Sequence, residues 1–253
     1  AMLKKITDKE YFADEGLNAS ALKQFAKSPA HYKASLTAPE KKSTAFDVGT
    51  LVHQLVLEKL KGWAIVEGNR NSKAVKEMIE TAKSMGKIAI KPGEDDVILK
   101  MAESVANNYY GQYLGRDTDC SELAGFVEDP ETGLLLKAKF DYAPKTGSIL
   151  FDLKTAADAS PTKFKRSAKD FGYDIQAVHY MHVAKLCGLD YEQFVFVVVE
   201  KTAPFLTASY ILEDETRERA EHKYRMLLES FKACKNAGDF SQGYEQELIE
   251  LKF

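Results

Sequence analysis

Two short segments carry carboxylates and a lysine at strand spacing: Lys139-Phe-Asp141 and Leu150-Phe-Asp152-Leu-Lys154-Thr155, with turn chemistry between them. If they are paired strands of one hairpin, Asp141 and Asp152 converge at one end of a sheet. Two carboxylates so placed bind a hard divalent cation such as Mg²⁺ and leave positions for water and phosphate oxygens. Lys154 follows Asp152 by two residues, so it projects from the same strand face. A lysine there can orient a water, stabilise the hydroxide formed from it, or neutralise charge building on phosphorus. A solvent-facing strand that alternates charged residues gives the same letters, so spacing alone leaves both readings open. His53 sits in Gly49-Thr-Leu-Val-His53-Gln-Leu-Val-Leu-Glu58, among Val52, Leu55 and Val56; a lone histidine in such a stripe is more often a satisfied core group than a ligand. Gln176 and Tyr180 are four apart in Asp174-Ile-Gln176-Ala-Val-His-Tyr180 and share one face of a helix. A buried tyrosine beside a surface glutamine is the plain alternative.

The elements that would position these groups follow from hydrophobic periodicity. Asn18-Ala-Ser20 reads as an N-cap before an amphipathic run ended at Pro29, and His31-Tyr32 opens a second helical stretch. Thr37 to Thr44 is polar and basic, a loop. Val48, Leu51, Val52, Leu55 and Val56 share a helical face within Ala45 to Leu60. A short strand at Trp63 to Val66 and helices at Ser72 to Met85 and Glu94 to Leu114 complete this first part. After Gly115 the period changes. Glu122 to Glu128, Leu134 to Tyr142 and Ser148 to Leu153, separated by Asp129-Pro130-Glu-Thr-Gly133 and Pro144-Lys-Thr-Gly147, predict a meander. Helices at Pro161 to Lys169 and Asp174 to Cys187, a hairpin at Glu192 to Glu200 and Phe205 to Leu212, and a long helix at Asp214 to Asn236 follow. This order predicts an α/β fold: a single domain over 2–253 with a central mixed β-sheet flanked by helices. Its parts are a mainly helical stretch (2–115), the sheet with its helices (116–212), and a C-terminal helix and tail (213–253).

Composition removes several classes. The 253 residues are 45% hydrophobic and 29% charged, which excludes a disordered or fibrous chain. The longest wholly apolar run, Phe194 to Val199, is far below the ~20 residues of a membrane span. No secretory segment opens the chain, and Ala1 ahead of Met2 reads as an added residue. Cys120, Cys187 and Cys234 are scattered and odd in number, giving no disulfide framework and predicting a soluble, cytoplasmic protein. The net charge of −3 argues against a globally basic nucleic-acid binder but not against local basic patches. His179 and His182 could pair on a metal, but no third ligand of a zinc site accompanies them. No phosphate-binding glycine loop signals ATP use, and no nucleophile elbow signals acyl transfer.

Taken in order, Gly-Thr-Leu-Val-His53, Phe-Asp141, Asp152-Leu-Lys154-Thr-Ala and Gln176-x-x-x-Tyr180 resemble the RecB-type nucleases of the PD-(D/E)xK superfamily, and within them the RecE-like exonucleases. The serine-containing helix Asn18-Ala-Ser20-Ala-Leu-Lys-Gln-Phe-Ala-Lys-Ser28-Pro29-Ala-His-Tyr32 is similar to that branch's N-terminal helix. The resemblance spans about residues 18 to 200. The superfamily's proline before the first aspartate is absent; Phe140 stands there.

What the resemblance implies is a restriction-endonuclease-like core and a metal held by His53, Asp141, Asp152 and the backbone carbonyl of Leu153, with Lys154 as catalytic lysine. Gln176 and Tyr180 would help place the DNA strand and the reacting groups. Glu122 matches an acidic position on the preceding strand, although an exposed strand glutamate explains it equally well. The metal would be Mg²⁺, with Mn²⁺ accepted because imidazole is softer than carboxylate, and no iron–sulfur cluster. The implied activity is processive 5′→3′ exonucleolysis of linear double-stranded DNA from its ends, leaving 3′ single strands for recombination and repair. A ring-shaped homo-oligomer and a single-strand annealing partner belong to that expectation. A structure-selective endonuclease and a non-catalytic DNA-binding module are the competing readings. The basic run Lys163, Lys165, Arg166 and Lys169, with Phe164 and Phe171 near it, is a candidate DNA contact, as are Lys41 and Lys42. A solvated helix face with core aromatics reads the same. Asp152, taken as a surface carboxylate in a metal cleft, should hold up little core.

Overall fold

The apolar run Phe194 to Val199 forms a strand covered on both sides. This strand, β7 (Gln193–Glu200), buries Phe194, Phe196 and Val198 in one core and Val195, Val197 and Val199 in the other, which is why its sequence does not alternate with polar residues. It pairs in parallel with β6 (Ile149–Ala156), Asp152 lying level with Phe196. A parallel pair needs a long crossover, here supplied by α7 (Pro161–Asp170) and α8 (Tyr173–Leu186). The computed structural model describes residues 1–38 and 48–244; Lys41, Lys42 and the tail beyond Tyr244 lie outside them.

The mixed sheet has six strands in the order β1 (Met2–Lys5), β4 (Ser121–Glu128), β5 (Leu135–Tyr142), β6, β7, β8 (Thr207–Tyr210). Neighbours are antiparallel except β6 and β7. The expected meander is β4-β5-β6. β2 (Trp63–Ile65) and β3 (Ile88–Ile90) form a separate parallel pair. Leu22 and Phe25 of α2 (Ala19–Phe25) and Tyr224, Leu228 and Phe231 of α9 (Asp214–Ala237) join α8 in the first core. The second core takes α4 (Val48–Glu58) and α6 (Glu94–Asn107) through Leu51, Val52, Ile98 and Met101. Asn18 caps α2 by accepting the Ala21 N–H at 2.8 Å, as its position predicts. Among the described residues no helix is long and apolar enough to cross a membrane.

Three differences from the sequence reading have local causes. β1 and α1 (Asp8–Ala13) went unread: β1 is four residues long and almost wholly exposed, so it carries no alternation, while the only local signal for the six-residue α1 is the Thr7–Glu10 capping box. The helix expected to reach Leu114 stops at Asn107, because the Asn108 side chain accepts the N–H groups of Tyr110 and Gly111, both at 3.0 Å. The last strand is short, and its four residues are only partly buried.

The helix α8 is pinned to β5 and α9 by a buried histidine. His179 is fully buried, with Nε2 2.9 Å from the Lys137 carbonyl and Nδ1 2.9 Å from the Tyr224 hydroxyl. A carbonyl only accepts, so Nε2–H donates to it and Nδ1 accepts from the tyrosine; the ring is the neutral tautomer. Burial lowers its pKa to about 4. The unfolded chain protonates this residue near 6.5, so its contribution to stability is whole above that pH and is lost as pH falls toward 4. The difference amounts to about 3 kcal/mol. Urea midpoints at pH 7 and pH 4.5 should diverge in the native protein and diverge much less in His179→Gln; equal pH sensitivity in the two would reject this assignment.

Candidate active site

Strand register brings the acidic groups level with one another. Ser121 pairs with Tyr142 and Leu123 with Phe140, so Glu122 stands level with Asp141. Tyr142 pairs with Phe151, so Asp141 stands level with Asp152. That is the one ladder pair between β5 and β6, and the strands part from there. The next amide along β6, Leu153 N–H, donates to Asp141 Oδ2 at 2.7 Å rather than to a β5 carbonyl. Backbone irregularity marks the same place. Phe140 and Tyr142 would share a face on a regular strand, yet they lie in opposite cores. Glu122 has φ of 52°, a left-handed conformation that is costly for any residue with a Cβ. Distortions of this kind concentrate where a side chain must be re-aimed.

α4 delivers His53 to this opening. Its Nδ1 lies 3.9 Å from Asp141 Oδ2, and ligand atoms of His53, Glu122 and Asp141 all fall within 4.8 Å of one another. Burial and then the Lys154 charge hold the imidazole below its ordinary pKa, so it is neutral at pH 7 with a lone pair to offer. Burial, then the charge of Asp152, pushes the Asp141 carboxyl well above the usual range. Glu122 is held by Lys139 Nζ at 2.8 Å, which also meets Asp8 Oδ1 at 2.6 Å.

Asp152 is 1% exposed, which corrects the expectation of a surface carboxylate. Gln176 Nε2 donates to its Oδ1 at 2.7 Å, and Lys154 Nζ lies 2.5 Å from its Oδ2. The ammonium is the direct partner of Oδ2, by charge and by hydrogen bonding. Burial alone would lower the Lys154 pKa, but Asp152 and Asp141 outweigh it and hold the ammonium protonated. Gln176 is thus a buried clamp on Asp152 and not a surface residue. Tyr180 packs its ring on Phe140 and Phe194, with centroids 5.7 and 6.0 Å away. Burial, then the charge of Asp152, raises its phenol well above the ordinary range, so it stays a neutral donor.

The residues present fit a divalent cation. An imidazole and two carboxylates offer ligand atoms within 4.8 Å of one another, with the Asp152 carboxylate beside them, a nitrogen-and-oxygen donor set suited to a divalent cation. Asp152 lies outside the compact group of three, while Glu122, read from sequence as a second-rank position, lies within it.

The other candidates divide. Lys163, Lys165, Arg166 and Lys169 are exposed on α7, Arg166 Nε being 3.9 Å from Asp170 Oδ2. Phe164 is a core residue and Phe171 is exposed. His182 Nε2 is 2.8 Å from Asp129 Oδ1, so both α8 histidines have protein partners. Sequence reasoning missed Lys139, Lys23 and Tyr173. Lys139 was legible as the same-face neighbour of Asp141 two residues on. Lys23 reaches the site only through the fold.

Comparison with known proteins bears on the fold and the family. No curated protein is matched by the chain. A solved structure described as a "Putative exonuclease" from Eubacterium rectale superposes with a TM-score of 0.64 over 92% of this chain and 88% of its own, at 17% identity. At that identity the likeness is one of fold. A phage-related exonuclease from Haemophilus somnus aligns over 91% of this chain and 100% of its own at 14% identity, with a TM-score of 0.35 that carries no argument. The model of the family described as "PDDEXK-like domain of unknown function (DUF3799)" matches residues 18–246, and with the carboxylates, lysine and sheet in place the chain belongs to that family.

Proposed function

We propose that the protein is a metal-dependent exodeoxyribonuclease acting on the ends of linear double-stranded DNA. The observation that carries this reading is the convergence of His53, Glu122 and Asp141 beside the buried Asp152–Lys154 pair. His53, Glu122, Asp141, Asp152 and the Leu153 carbonyl would hold Mg²⁺ or Mn²⁺. Bound there, the ion supplies Lewis acidity to the scissile phosphate and acidifies a neighbouring water. Lys154 is the protein's own contribution to the chemistry. Its ammonium is fixed by Asp152, so it offers N–H donors to the attacking water from one position rather than many. Gln176 fixes Asp152 in turn. Tyr180 carries a protonated hydroxyl with no hydrogen-bond partner among the described residues, free to donate to a phosphate oxygen. Lys163, Lys165, Arg166 and Lys169 supply backbone contacts along α7. Digestion is 5′→3′ and processive in this reading, with a ring of copies retaining the product and an annealing protein taking the 3′ strand.

The test is digestion of linear duplex DNA labelled at one 5′ end, beside a closed circle, with Mg²⁺ and with EDTA. Loss of the linear molecule in Mg²⁺ alone, with the circle spared and the label released early as mononucleotide, is the expected result. Cutting of the circle would replace the proposal with an endonuclease. Binding of DNA without cleavage of either substrate would leave a non-catalytic module.

A further inference from the structure

Beside the carboxylates, on the α8 side, lies a group of side chains that the proposed chemistry does not use. Tyr173, in the first turn of α8, stacks on Phe196 with centroids 5.7 Å apart at 28°. Two ammonium groups flank its ring: Lys154 Nζ is 4.9 Å from the centroid and Lys23 Nζ 5.8 Å. They are not equivalent. Lys154 is neutralised by Asp152 at 2.5 Å. Lys23, in the last turn of α2, makes no hydrogen bond or ion pair among the described residues; burial and then the Lys154 charge lower its pKa, and Asp152 and, more weakly, Asp174 act on it only at longer range. Its stem lies against Gly172, where an added Cβ would stand 3.1 Å from Lys23 Cδ. The result is a surplus positive charge one ring away from the catalytic lysine.

An exposed aromatic continues the line. Phe171, between α7 and α8, is 60% exposed, and its ring centre is 5.9 Å from that of Tyr173 at an interplanar angle of 31°. Burial would ordinarily claim a phenylalanine at the joint of two core-packed helices, as it claims Phe164 seven residues earlier. A cation without a direct counterion and an open aromatic face, each within 6 Å of the Tyr173 ring, match the two ends of a nucleotide: phosphate to the ammonium, base to the ring. A base inside a duplex has both faces covered by its neighbours, so only an unpaired nucleotide can use the ring.

We propose that Lys23, Tyr173 and Phe171 form a subsite for one unpaired nucleotide adjacent to the scissile phosphate, with Lys23 binding its phosphate and Phe171 stacking on its base. This rests on the nuclease reading and narrows it: the strand to be cut reaches Lys154 peeled from its partner.

The test measures binding of fluorescent oligothymidine in EDTA, where nothing is cleaved, beside an oligonucleotide of the same length built from abasic residues. Phe171→Ala should weaken oligothymidine binding roughly tenfold, the scale of one stacked base, and leave abasic binding within about twofold. Lys23→Gln should weaken both and reduce the salt slope by about 0.7, the value of one single-strand phosphate contact; Lys23→Arg should restore it. Phe171→Ala binding oligothymidine like the native protein, or an unchanged slope in Lys23→Gln, would overturn the subsite even if DNA is digested. The expected binding pattern in a protein that digests nothing would retain the subsite and sink the nuclease reading instead.

Discussion

Asp152→Asn should abolish DNA cleavage, by roughly 10³-fold or about 4 kcal/mol of barrier, and should also lower stability. The first effect follows from the loss of a charge that both fixes Lys154 and completes the cation site. The second follows from burial. With Asp152 at 1% exposure and the Lys154 side chain at 19%, removing the carboxylate charge leaves an ammonium with little water and no direct counterion. Breaking a fully buried pair costs ~3–5 kcal/mol. Partial access of water to Lys154, and the relief of Asp141 from a like charge, bring the expected loss to about 2 kcal/mol. Asparagine keeps the shape and can still accept from Gln176, so packing contributes little. The pair is then separable: Asp152→Asn with Lys154→Met should recover most of the stability and none of the activity, because the stranded charge has gone. Urea unfolding together with digestion of linear DNA reads both. A single mutant as stable as the native protein, or a double mutant no more stable than the single, would show that the pair is not buried in the way its geometry requires.

That argument also marks what the sequence could and could not say about the site. Asp152-x-Lys154 was readable because two residues on one strand share a face whatever the fold. The depth of Asp152 was not readable, because it depends on β7 lying beside β6 in parallel, and that pairing is set by a crossover, from Ala156 to Gln193, that carries two helices. Gln176 shows the same limit. Its helical spacing to Tyr180 was plain, but whether it faced water or a carboxylate depended on which side of α8 the sheet took. Phe164 and Phe171 looked alike beside the α7 cations; packing took one into the core and left the other at the surface. The central strands and long helices were legible since their apolar patterns are strong and local. β1 was not, since a four-residue edge strand needs β4 to exist. Lys23 joins the site from α2, more than a hundred residues from Lys154, and nothing local announces it.

Glu122 gives the sharpest case, because its backbone and its side chain make opposite predictions for one substitution. Opposite Asp141, the chain holds a glutamate at φ of 52°, at about 1–2 kcal/mol of steric cost relative to an ordinary strand conformation. Glycine would escape that cost, returning roughly 0.5–1 kcal/mol of it as added freedom of the unfolded chain. The Lys139 contact at 2.8 Å is also lost, but Lys139 keeps Asp8 at 2.6 Å, so that loss is small. Glu122→Gly should therefore be as stable as the native protein or slightly more so. If the glutamate is a ligand, the same substitution removes one of the donors within 4.8 Å of His53 and Asp141, and with it a full negative charge from a cation site. The Mn²⁺ concentration for half-maximal digestion should rise roughly tenfold or more, with higher metal restoring part of the rate. An exposed strand glutamate with no role predicts the same stability but an unchanged metal requirement. Stability held and metal affinity lost, in one variant, is the combination that only a ligand produces.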